Sequence, residues 1–162
     1  MALQFIPVSG RFGVESGRQM KSSEGREDPT PTAGTPLADP GIIKHYHAHI
    51  YYDPASSRDR AARLRERVAA AFPEATLGRW HDALVGPHLQ SMYQIAFPRS
   101  LLATFLPWLM LNRDGLTILL HPGTGDAYAD HTDHAVWLGG MLPLRLDVLR
   151  AATEHRPPGQ PE

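Results

Sequence analysis

The chain has 162 residues with 16 basic and 17 acidic side chains, a net charge of −1 and no cysteine. This balance gives no electrostatic footprint for nucleic acid or an anionic membrane surface. The missing thiols exclude disulfides and thiolate metal centres, so any metal held here takes nitrogen or oxygen ligands. The opening "MALQFIPVSGRFG" lacks the basic-then-apolar pattern of a secretory signal. The apolar run from Leu101 to Leu111 is about half of the ~20 residues that a bilayer span needs, and Pro107 interrupts it. The expectation is a soluble, cytoplasmic protein.

In chain order, residues 1–41 include "EGREDPTPTAGTPLADPG", with few aromatics and no apolar period, the composition of a flexible tail. The folded domain is expected over residues 42–150, with a second short tail over 151–162. Residues 43–52 read as a strand. Alternation puts His45, His47, His49 and Tyr51 on one face and Tyr46, Ala48, Ile50 and Tyr52 on the other. A helix follows, with Ala61, Leu64, Val68, Ala71 and Phe72 at helical spacing, arginines over the remaining surface, and Pro73 as a stop. Residues 76–85 and 90–97 predict a hairpin around "GPH". "RSLLATFLPWLMLN" predicts a second helix, kinked or broken at Pro107. After the Asp114-Gly115 turn, "LTILLH" is a short buried strand ending at His121.

The order β-α-β-β-α-β predicts an α+β ferredoxin-like split sandwich, an antiparallel sheet with two helices on one face. Tyr46, Ala48 and Ile50 should then pack under the helices, leaving His47 and His49 on the opposite face. His121 has side-chain parity opposite to Ile118 and Leu120, so it can join them, and His88 sits at the hairpin turn. His45 and His81 read as structural. In "DHTDHAVWLGG", Asp130, His131, Asp133 and His134 crowd a glycine-flanked loop suited to a site rim. The same letters also suit a short helix over Ala135, Val136, Trp137 and Leu138, capped by Asp130 or Thr132. Three histidines, or two with a carboxylate, and open positions are what non-haem Fe(II) needs. Spare histidines would handle protons, because their ordinary pKa lies near neutrality.

The motifs "YHAHIYYD", "VGPH", "PWLMLNRDGL", "LLHPGTGD" and "DHTDHAVWLG", spread in order over Tyr46 to Leu149, resemble the DOPA 4,5-dioxygenase family. The resemblance implies a ferredoxin-like domain, commonly homodimeric, that cleaves a catechol such as L-DOPA by the extradiol route with dioxygen. The family's histidines fall at His47, His49, His88, His121, His131 and His134. Departures from the family pattern, at Asp114, Gly123 and Leu89, lie on loops. The resulting assignment takes His47, His49 and His121 as ligands of Fe(II), or of zinc or another divalent metal. His88 is the closest substitute ligand. His131 or His134, with His88, is the acid/base, and Tyr51, Arg113 and Trp137 are substrate-rim residues. The rival reading is a non-catalytic ferredoxin-like protein that binds a small aromatic ligand or a structural metal on its open sheet face.

Overall fold

The computed structural model describes residues 36–154; most of the first expected tail and all but the first residues of the second fall outside that range. After a 3-10 turn at Pro40–Ile42, capped by the Asp39 carboxylate, the elements are β1 (His45–Tyr51), α1 (Arg58–Ala71), β2 (Thr76–His81), β3 (Met92–Pro98), α2 (Leu102–Asn112), β4 (Thr117–Pro122), α3 (Ala127–His131), β5 (Val136–Leu138) and α4 (Leu146–Glu154). The sheet order is β2-β3-β1-β4-β5, antiparallel throughout. Its first four strands have the split β-α-β-β-α-β arrangement, and β5 extends the sheet beyond β4. No helix among the described residues is long and apolar enough to cross a membrane.

The alternation of β1 decides how the layers form. Ala48, Ile50 and Tyr52 join Tyr93, Ile95 and Phe97 of β3 and Ile118 and Leu120 of β4 in one core. That core packs against Ala61, Leu64 and Val68 of α1 and Phe105 and Leu109 of α2. These side chains are almost wholly removed from water, the main source of stability. The Tyr93 hydroxyl donates to the Ala61 carbonyl at 3.0 Å and ties sheet to helix without an unpaired polar group. The other face carries a smaller cluster of Tyr51, Met92 and Leu119 under Trp137, Leu142 and Leu144.

Three local expectations are corrected. Of the two outcomes expected at Pro107, the break does not occur: α2 runs through the proline after a 3-10 lead-in at Arg99–Leu101. The short helix expected over residues 135–138 is instead the strand β5, paired with Ile118, Leu119 and Leu120 of β4. The helix lies earlier, at Ala127–His131, and its cap is Asp126, which accepts from the backbone N–H groups of Tyr128 and Ala129. Beyond the expected domain the chain also folds as α4, which runs to Glu154; Arg150 donates to the Tyr128 hydroxyl and lies over its ring.

Candidate metal centre

The site lies on the central strands. In the β1–β4 register His47 is opposite His121, and His49 is opposite Leu119; on the other side His47 is opposite Ala96 and His49 opposite Gln94. Two histidines on β1 and one on β4 therefore share a face over short, uniform strand spacings. Two further imidazoles come from outside the sheet. His88, in the segment joining β2 to β3, is held by a bridge to Leu144. His131 is the last residue of α3, and its ring centre lies 4.0 Å from that of His121. A cavity of about 280 Å³ is lined by His47, His49, His81, His88, His121 and His131, with Met92, Gln94 and the Val85-Gly86-Pro87 turn as walls. That size is just below the ~300–1,000 Å³ usual for small-molecule sites and suits a single ring.

The hydrogen bonds fix which ring nitrogens face inward. His121 Nδ1 donates to the Pro122 carbonyl at 2.8 Å, and His131 Nδ1 to the Ala127 carbonyl at 2.8 Å. Each ring thus presents Nε2 with a lone pair, as backbone-anchored metal ligands do. His121 Nε2 lies 3.0 Å from His49 Nε2, while the buried Nδ1 of His49 has no hydrogen-bond partner. Without a shared cation, His49 must either leave Nδ1 an orphaned acceptor or set two lone pairs against each other. A divalent ion turns the facing lone pairs into ligands and leaves the His49 proton on Nδ1: nitrogens ~2.0–2.1 Å from one tetrahedral ion are roughly 3.3 Å apart, close to the spacing present. The ligand nitrogens of His47, His49 and His121 all lie within 4.8 Å of one another, and so do those of His49, His88 and His131.

Electrostatics keep His49, His88 and His121 neutral. Burial, followed by the neighbouring imidazoles, holds His49 well below the ordinary histidine value. Burial and then His131 bring His88 down to about 4 and His121 to about 3. A neutral ring is the form that binds metal. The Tyr51 hydroxyl is 2.7 Å from His88 Nδ1; burial pushes its phenol above the usual range, so it remains a hydroxyl. Trp137 stacks on Tyr51, with ring centres 5.8 Å apart, and lines a neighbouring cavity that shares His131 as its wall.

Of the residues singled out in the sequence, the fold brings together His47, His49, His88, His121 and His131, with Tyr51 and Trp137 beside them. Two others are not brought in. His134 lies at a separate apolar cavity of about 430 Å³ on the helix side of the sheet, beside Tyr46 and Leu120, because the chain reverses after α3 and turns its Nδ1 to Asp130 at 3.3 Å. Arg113 caps the C-terminal end of α2, donating to the Leu116 carbonyl at 2.8 Å, at the opposite end of β4 from His121. His45 packs beside His47, with ring centres 4.8 Å apart, where Gly123 leaves it space; a Cβ there would strike its ring. His81, read from the sequence as structural, lines the cavity instead.

Asp130 is the buried support of this region. Its carboxylate accepts from Thr124 N at 2.9 Å, Thr124 Oγ1 at 2.7 Å and His134 Nδ1 at 3.3 Å, so it pins the glycine turn to the helix that carries His131. Asp130→Ala is expected to cost ~1–2 kcal/mol in urea unfolding, because the two partly buried Thr124 donors lose their acceptor. A loss below ~0.5 kcal/mol, the range of ordinary surface substitutions, would mean that the turn is held by other contacts.

The model of the Dopa 4,5-dioxygenase family matches residues 46–148, which include every histidine of the cavity. The chain belongs to this family. It is 33% identical over 122 residues to DOPA 4,5-dioxygenase of Amanita muscaria, a match covering 71% of this chain and 54% of that protein, about half its length. It is 31% identical over 152 residues to an uncharacterized 21.2 kDa protein of Botryotinia fuckeliana, covering 88% of this chain and 79% of the relative. A crystal structure from Nostoc punctiforme, described as a candidate dioxygenase, is 50% identical and superposes with a TM-score of 0.69 over 72% of this chain and 99% of the other. The Dopa 4,5-dioxygenase family thus accounts for the sheet, both main helices and the histidine-bearing segments after β4.

Proposed function

We propose that this protein is a metal-dependent extradiol dioxygenase that opens the ring of a catechol. The observation that carries the reading is the convergence of His47, His49 and His121 on one sheet face, with His49 and His121 held neutral by burial and His121 oriented by the Pro122 carbonyl. Bound there, Fe(II) would supply the coordination sites at which a catechol and dioxygen meet, and the electron that spin-paired ring chemistry with dioxygen requires. The remaining steps fall to the chain. His131 keeps its Nε2 as an acceptor because Nδ1 is spent on the Ala127 carbonyl, so it can take a catechol hydroxyl proton and return it later. His88, paired with the Tyr51 hydroxyl, is the second proton-handling ring. Met92 and the Val85-Gly86-Pro87 turn line the space where the ring would sit.

The full assignment keeps His47, His49 and His121 as ligands and His131 and His88 as acid/base; Tyr51 acts through His88 and Trp137 backs it. L-DOPA is the first substrate to test, and a cytoplasmic homodimer is the expected form. After anaerobic loading with Fe(II), addition of L-DOPA or catechol and then oxygen should consume one dioxygen per catechol and yield a yellow ring-opened product. His121→Ala should slow this roughly a hundredfold, as loss of a ligand displaces the metal. If no catechol consumes oxygen faster than the His121→Ala control while iron binds fully, the reading is wrong.

A further inference from the structure

His49 belongs to two histidine groups at once. One joins it to His47 and His121, and the other to His88 and His131. Its Nε2 faces His121 at 3.0 Å. Its Nδ1, on the other edge of the ring, is buried with no hydrogen-bond partner, and the ring centres of His88 and His131 lie 4.3 and 5.6 Å from its own. A neutral imidazole carries a proton on one nitrogen and a lone pair on the other. His49 can therefore serve a cation through either edge, but not through both together.

We propose that the cluster holds one divalent cation at either of two positions that share His49: a first with His47 and His121, and a second with His88 and His131. This rests on the reading of the cluster as a metal site. The first position draws all three ligands from β1 and β4, adjacent strands in fixed register, so it is pre-organised and tighter. The second draws two ligands from outside the sheet, one on the β2–β3 connection and one at the end of α3. A cation there uses the lone pairs that the proposed reaction needs for proton transfer. The second position is therefore a resting place for the ion rather than a productive one.

The test is anaerobic titration of the full chain with Co(II), reading bound metal by equilibrium dialysis and ligand environment by visible absorption. Wild type is expected to bind one cobalt per chain, and His131→Ala should give the same spectrum. His121→Ala should still bind one cobalt, roughly ten- to a hundredfold more weakly, with a shifted spectrum. The double variant His121→Ala/His131→Ala and the single variant His49→Ala should both bind none. Circular dichroism checks each fold, and His→Gln versions replace any alanine variant that fails to fold. Two cobalt ions per wild-type chain, or binding retained by the double variant, overturns the proposal. So does an unshifted spectrum in His121→Ala. If His121→Ala alone loses cobalt as completely as His49→Ala, the second position is wrong while the dioxygenase reading stands. If wild type binds no cobalt, the dioxygenase reading falls, and the second position with it.

Discussion

His49→Ala is expected to abolish metal loading and to lower the proposed ring cleavage by on the order of a thousandfold, equivalent to ~4 kcal/mol of barrier. No other imidazole should substitute, because His49 is the residue common to both histidine groups. The effect on the fold is much smaller. Removing the ring leaves a cavity, but it also removes a buried nitrogen that has no partner, so the metal-free variant should unfold within ~2 kcal/mol of wild type. Metal content, turnover and chelator-treated unfolding curves, measured together, separate the two effects. If His49→Ala retains full metal and more than a tenth of the activity, His49 is not a ligand.

The metal-free protein is expected to lose stability on acidification. Unfolded histidines titrate near 6.5, whereas the fold holds His88 near 4 and His121 near 3. Above pH 6.5 both states leave these rings neutral and stability is flat. Below it the unfolded chain takes up protons that the native cluster refuses, so each ring removes about 1.4 kcal/mol per pH unit. For His88 this loss ends near pH 4 and for His121 near pH 3. Urea unfolding of chelator-treated protein at pH 7.5, 6.5, 5.5 and 4.5 should show a plateau and then a decline, with His88→Gln reducing the slope. A curve that is flat from pH 7.5 to 4.5 would show that these rings titrate alike in both states.

How far the sequence foretold this depended on whether simple alternation held. It held in β1, where the parity of seven residues assigned both the core face and the histidine face, and in β4, where it put His121 on the same face as His47 and His49. It failed in β2. Leu77 pairs with Ile95 and Trp80 with Tyr93, so one extra residue enters between them. Strict alternation from Leu77 sends His81 toward the core, whereas the bulge turns Trp80 inward and His81 to the cavity. The "DHTDH" segment failed for another reason: Asp126 outside the quoted motif set the helix, and a three-residue strand such as β5 carries too few letters to show a period. His131 and His134 looked equivalent because only the reversal after α3 sends them to different cavities. Arg113, assigned to the substrate rim, instead caps α2 and donates to the Leu116 carbonyl.

The two faces of β1 also tie folding quality to chemistry. A slip of one residue against β3 or β4 would drive His47 and His49 beneath the helices and turn Ala48 and Ile50 outward. Such a chain would lose its core and its ligand set in the same event. Compact but mis-registered molecules should therefore not accumulate as metal-loaded, inactive contaminants. On the proposed assignment, the fraction of a preparation able to take up metal then measures the fraction correctly folded.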